Sequence, residues 1–472
     1  MASRDRFSQD RSSVESASAL PRINLFTMFR LGLVQMSLGI MAILMLGVFN
    51  RVMIQELAIP ATIVGGSIAM YQVVAPARIW FGQMTDSRKL LGYHRTSYIW
   101  IGATLFAAMA FVIVQVGWQL SHSVEVNGWG IVSYGWVALL AFAFAIYGLC
   151  ISATSTPFFA LMVDVSDEDN RGKLVGIVWS MLTLGIGAGA GFSAGLLRGI
   201  TADTLQPQIN QLFTVVPLVV IALVILATWG VERKYSRLPY RRRGRGDSHF
   251  TLREGMAILT ASRQTGYFFT YLLMLILGMF IQQPILEPFA GEVFGMTLAQ
   301  STALNIFWSL GSLVSLSLTG FLIVPKLGKK ATAKLGCFAM SACFILLPIT
   351  GLLGQPRLLQ GALVLFGLAL GVATGSSISL MLDLTTAETA GTFTGLWGLA
   401  QAFAQATSSF TGGALLDLGR QAFGAPLLAY GFVFWIEAVV ILLAVLLLRR
   451  VNVAEFQEQS GKAVIAVMEG DL

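Results

Sequence analysis

The residues most able to do chemistry in this chain are polar groups set inside apolar runs. Glu437 has no charged residue near it in sequence, and a carboxylate so placed must pair, take up a proton or face water. Glu287 falls within the stretch QQPILEP, after Gln282 and Gln283, where Pro284 and Pro288 interrupt a helix and free backbone carbonyls. A broken helix carrying two amides and a carboxylate is a candidate ligand site, and a simple kink at the outer end of the helix is the plainer alternative. Arg78 follows Pro76 and either snorkels to the membrane surface or reaches inward to hold an anionic group. Gln35, Tyr71, Gln72, Asn305, Gln401 and Gln405 could line the same interior, although hydrogen bonding between helices is the commoner task of such groups. A second set suits a conformational latch. Gly82 permits close helix approach, Asp86 can face a helix N-terminus, and Arg88, Lys89 and Arg95 hold a membrane surface. Asp164 with Arg171, and Asp383, suit helix capping or pairing with arginine in a two-state switch.

These groups need elements to position them, and composition states which kind. The 472 residues are 56% hydrophobic and 12% charged, where a soluble domain carries about a quarter charged residues. The apolar material lies in long runs, so the expected fold class is an all-α membrane protein, not a β-barrel. Twelve spans are expected, near 30–50, 61–85, 96–119, 130–158, 174–198 and 211–232, then 266–287, 298–324, 331–354, 357–382, 393–418 and 424–448. Of the 31 Lys and Arg residues, only Arg51, Arg198, Arg357 and Arg420 fall in the alternate set of loops, leaving 31 − 4 = 27 on the other side. That bias places both termini in the cytoplasm and accounts for the net charge of +7 without nucleic acid. The organisation expected is a polar arm over 1–29, a six-helix half over 30–232, a basic linker over 233–263, a second half over 264–449 and a tail over 450–472. No removable signal peptide is expected, and Cys150, Cys337 and Cys343 read as buried apolar residues.

The halves look duplicated. The sixteen residues at 161–176 align without gaps to 380–395, with Leu161/Leu380, Met162/Met381, Asp164/Asp383, Gly172/Gly391 and Gly176/Gly395 coinciding after the fourth span of each half. Parallel six-helix repeats build the major facilitator transporters, and the loop GQMTDSRKLLGYHR at 82–95 resembles that superfamily's loop signature. In the second half TTAETAGT at 385–392 has no counterparts of Arg171 and Lys173, so the two latches are unequal.

Longer segments are more specific. LGVFNRVMIQELAIPA at 46–61, the ARIWFG and YIWIG motifs within 75–102, LEPFAGEVFGMTLAQST at 286–302 and MLDLTTAETAGTFTGLWGLAQAFAQ at 381–405 resemble the PucC family, the bacteriochlorophyll delivery branch of the superfamily. The resemblance runs from about Arg30 to Arg449. It implies a factor of a thylakoid or photosynthetic inner membrane that assists assembly of light-harvesting or photosystem complexes by handling chlorophyll or bacteriochlorophyll transiently. Partners implied are antenna or photosystem subunits, late chlorophyll-synthesis enzymes and membrane lipid.

Pigment magnesium commonly takes an axial imidazole, yet His94, His122 and His249 all fall in expected loops. Oxygen donors such as Gln282, Gln283 and Glu287 suit hard magnesium and would release it readily. Trp80, Trp100, Trp179, Trp308 and Trp397 could flank a flat macrocycle or anchor at the interface. The glycine tract at 185–195 lies within a span with no strand before it, so it reads as a helix contact, including a GxxxG step from Gly187 to Gly191, and not as a nucleotide loop. No nucleophile–base pair, metal-ligand set or catalytic group is expected. Two alternatives stay open: a proton-coupled carrier of a small solute, with Glu437 or Glu287 titrating, and a non-transporting scaffold.

Overall fold

A computed structural model of the chain describes residues 21–166, 168–236, 263–383 and 390–451. The first twenty residues, most of the basic linker with His249, the 385–389 stretch and the tail beyond residue 451 lie outside the described residues. So do the side chains of Arg171, Asp383 and Trp397.

The first half comprises α1 (Leu25–Glu56), α2 (Ala61–Val73), α3 (Ala77–Ser87), α4 (Thr96–Asn127), α5 (Ile131–Val165), α6 (Glu168–Leu196), α7 (Leu205–Thr228) and the short α8 (Val231–Tyr235). The second comprises α9 (Arg263–Phe280), α10 (Leu286–Phe294), α11 (Leu298–Leu318), α12 (Lys329–Leu353), α13 (Pro356–Asp383), α14 (Ala390–Ala422) and α15 (Pro426–Arg450). Among the described residues nine helices are long and apolar enough to cross a membrane. The other three expected spans are present as helical segments of a different character. Pro76 separates α2 from α3, Pro284 and Pro288 separate α9 from α10, and α14 carries Gln401, Gln405, Asp417 and Arg420. The chain is an integral membrane protein.

Two boundaries differ from expectation in a way that matters. The first span does not stop at residue 50 but runs to Glu56, and its hydrogen bonding widens to π geometry over Ile43–Phe49 and Val52–Glu56. Arg51 is therefore not a loop charge: it stands within α1 and is 1% exposed. Arg420 likewise belongs to α14, where it pairs with Glu292. Each cation has a partner on an element far away in sequence, which is why neither reads as a loop residue in three dimensions.

The glycine tract of α6 explains how the halves are joined on one flank. Gly185 and Gly189, one turn apart, lie against Met36 and Ile40 of α1. Gly187 and Gly191, offset by two residues, lie against Ser309 and Ile306 of α11. One helix thus offers a smooth face to each half, and dispersion contacts replace the hydrophobic drive that lipid cannot supply. On the opposite flank α2 and α14 approach through Gly65, packed on Ser409, and Gly413, packed on Ala61. Cys150, Cys337 and Cys343 are buried free thiols. Gly185→Val would drive a branched side chain into the Met36 backbone; the expected cost is about 1–3 kcal/mol of overpacking, read as a lower melting temperature of the purified protein, whereas Gly195→Ala, which meets nothing within 4 Å, should leave it unchanged.

Candidate functional site

The polar groups gather at the two ends of the bundle, and the ends are tied differently. At the end distal to the termini the ties cross between halves. Pro288 has no N–H, so the Pro284 carbonyl lacks its donor one turn on. Asn50 of α1 supplies the missing donor, its Nδ2 lying 2.6 Å from Pro284 O. The adjacent Arg51 donates to Met296 O at 2.7 Å, to Thr297 O at 2.9 Å and to Ser301 Oγ, at the turn that starts α11. The π-widened backbone on either side sets both side chains on the inward face of α1, a common location of such distortions at working sites.

Glu287 completes this seam. It is 3% exposed, accepts from Asn305 Nδ2 at 2.7 Å and Thr302 Oγ1 at 3.1 Å, and interacts electrostatically with Arg51. Its carboxylate fills the space beside Gly47, where a Cβ would collide with it. Gly291 receives the Gln55 amide in the same manner. Trp308 Nε1 donates to Asn305 Oδ1 at 2.8 Å and extends the chain of bonds. Beside it Asp417 of α14 caps α2, accepting from Ala61 N, Thr62 N and Thr62 Oγ1 at 3.1, 2.7 and 2.7 Å. Glu287 and Asn305, read in the sequence as candidate ligand groups, are thus engaged with one another and with α1.

The remaining candidate ligand groups lie deeper. Gln72 Nε2 of α2 donates to Gln405 Oε1 of α14 and lies 2.9 Å from Tyr71 Oη, another tie between the halves. Its own Oε1 is buried without a partner, as is Nε of the half-buried Arg78, which interacts with Tyr71. Gln401 is half-buried on the same helix as Gln405. Gln282 and Gln283 are half-buried in the gap between α9 and α10, and Gln282 Oε1 has no partner. Behind this gap sits Glu437 of α15, 0% exposed with both carboxyl oxygens unbonded. The Gln282 main-chain N–H faces it without closing a bond of normal geometry. Trp80 and Trp179 are exposed, and Trp100 stacks on Trp229 with ring centroids 5.6 Å apart.

At the end that carries the termini, a cluster of ties forms within the first half. Leu90 and Tyr93 exchange two backbone bonds around Leu91 and Gly92, whose positive φ of 50° and 84° make a tight reverse turn. The turn delivers Arg95, buried at the start of α4, whose guanidinium reaches Asp86 at 2.5 Å, Asp164 at 3.0 Å and Thr85 Oγ1 at 2.7 Å. The acid that faces the N-terminus of α4 is Glu232 of α8, not Asp86: it accepts from His94 N, Arg95 N and Thr96 N at 2.6 to 3.3 Å. A Cβ at Gly82 would meet Thr156 at an ordinary 3.7 Å, so this glycine is not needed for close helix approach, and Arg88 is exposed where α3 ends.

Sequence reasoning missed Asn50, Arg51, Glu232 and Asp417 as working groups. A signal was present for the first two, since the pair follows an apolar run with no turn residue between.

A family model described as PUCC protein matches residues 48–456. The chain is 29% identical over 455 residues to the bacteriochlorophyll synthase 44.5 kDa chain of Rhodobacter capsulatus, covering 94% of this chain and 98% of that one. It is 27% identical over 440 residues to protein PucC of Rhodobacter capsulatus, covering 90% and 92%. Among solved structures a D-xylose-proton symporter aligns with a TM-score of 0.67 at 15% identity over 91% of this chain and 98% of that one, which shows the major facilitator fold.

Asn50→Ala leaves the Pro284 carbonyl buried without a donor, so a loss of about 1–3 kcal/mol is expected, seen as reduced thermal stability. Glu232→Ala removes the cap of α4 and should cost about 1 kcal/mol, with Glu232→Gln, which retains an acceptor oxygen, in between.

Proposed function

The chain belongs to the PUCC protein family, and on that premise we propose that it is a membrane-embedded assembly factor for photosynthetic pigment–protein complexes. It holds chlorophyll, bacteriochlorophyll or a close precursor between its two halves and yields it to light-harvesting or photosystem subunits. The observation that carries this reading is the family match over residues 48–456, which reaches into both halves and takes in Asn50, Arg51, Glu287 and Asn305 of the seam.

The donor chemistry fits such a cargo. Magnesium is a hard ion that prefers oxygen, and Gln282 Oε1 is a buried amide oxygen with its bonding capacity free, in the turn that joins α9 to α10. Gln282 and Gln283 would meet the magnesium face. Glu437 stands behind Gln282, while Arg78, near Tyr71, would hold a polar substituent at the rim. Glu287 is fully engaged in the seam and takes no part in holding cargo. The bound pigment supplies light absorption and a metal with an open axial position; the chain binds, orients and releases it, without catalysis.

The membrane proposed is the photosynthetic inner or thylakoid membrane, with both termini in the cytoplasm, and the partners are antenna or photosystem subunits and late pigment-synthesis enzymes. A second reading, a proton-coupled carrier of a small solute, draws on Glu437, a carboxyl buried without a bonded partner. Ion-driven uptake into proteoliposomes that Glu437→Gln abolishes would favour it.

Deletion of the gene should lower assembled pigment–protein complexes severalfold while pigment synthesis continues, measured by absorption of membranes against extracted pigment. The pair Gln282→Leu and Gln283→Leu should do the same at normal levels of the protein in the membrane. Normal complex levels in the deletion strain contradict the reading.

A further inference from the structure

A groove outside the seam belongs to none of this. It lies on the outer surface between α9 and α15, has a volume of about 290 Å³ and is lined by Met274, Leu443, Leu446, Leu447 and Arg450. Its shape follows from one glycine. At Gly278 the helices touch so closely that a Cβ there would stand 2.7 Å from Ile441 Cδ1. From that contact they part toward the end that carries the termini, leaving a wedge open to the lipid. Its walls are methyl and thioether groups, and its mouth is a guanidinium at the point where the apolar run of α15 gives way to Arg449 and Arg450.

The mouth is built. Lys330 of α12 donates its Nζ to Arg449 O at 3.2 Å and to Val451 O at 2.6 Å, bonding carbonyls that the end of α15 leaves free. That staple fixes the backbone on both sides of Arg450, and Lys334 lies close enough to Lys330 to repel it. Among the described residues no acid pairs with Arg449, Arg450, Lys330 or Lys334. An apolar slot that ends in unpaired positive charge at headgroup level is complementary to one class of molecule in a bilayer.

We propose that this groove is a binding site for an anionic phospholipid, with an acyl chain in the wedge and the phosphate on Arg450. The volume sits at the lower end of ligand pockets, which begin near ~300 Å³, and suits part of one chain. The inference stands apart from pigment handling: the groove shares no residue with the seam or with the Gln282 gap.

The test is native mass spectrometry of the full-length protein released from nanodiscs of phosphatidylglycerol and phosphatidylcholine in equal amounts. Wild type should retain one phosphatidylglycerol in preference to phosphatidylcholine. Arg450→Gln, an exposed position that does not threaten folding, should weaken that preference about fivefold, the effect of one basic residue at an anionic surface. Met274→Trp fills the wedge and should reduce retention of both lipids while Arg450 is still present. Equal retention of the two lipids by wild type, or unchanged preference in Arg450→Gln, overturns the proposal. Exclusion of lipid by a copurifying partner helix that crosslinks at position 274 overturns it too.

Discussion

A backbone carbonyl that its own helix cannot satisfy is the constraint on which the structure turns. Two prolines in the α9–α10 region take away donors, and a carbonyl left buried without one costs about 1–3 kcal/mol. Asn50 of the other half supplies the donor at Pro284, and beside it Arg51 bonds Met296 O and Thr297 O where α11 begins. Once those donors are committed, much else follows. The first span must run past residue 50, its backbone must widen to aim two consecutive side chains inward, and Gly47 must remain without a side chain so that Glu287 can approach.

The consequence is a bundle with unlike ends. One end is closed by bonds that cross between halves, among them Asn50, Arg51 and Asp417. The other is organised by Arg95 and Glu232, which bind α3, α4, α5 and α8 of the first half to one another. The gap between α9 and α10 lies between these ends, where Gln282 and Glu437 keep unbonded oxygens.

Much of this was legible before any coordinates. Run lengths and proline positions marked the spans and the broken seventh span, because helices in lipid must satisfy their own backbone and a proline visibly prevents it. Asp164 read as a helix cap or an arginine partner, and Arg95, which also holds Asp86, is the arginine it meets. Arg51 was misread because a charge near the end of an apolar run resembles a loop residue, and only its partners 245 to 250 positions away show otherwise. Glu232 escaped for the same reason: it caps a helix 136 to 138 positions earlier, and a cap from so far away has no local spacing rule. Which residues keep free oxygens could not be read at all, since Glu287 and Glu437 look alike in sequence and differ only in their neighbours.

The most direct measurement is the absorption spectrum and extracted pigment of the protein purified gently from its own phototrophic membrane, beside an unrelated twelve-span protein, with wild type and Gln282→Leu compared. The account expects a red band at a reproducible fraction of a pigment per chain in wild type, reduced severalfold in the variant. A wild-type spectrum identical to that of the control protein would contradict it.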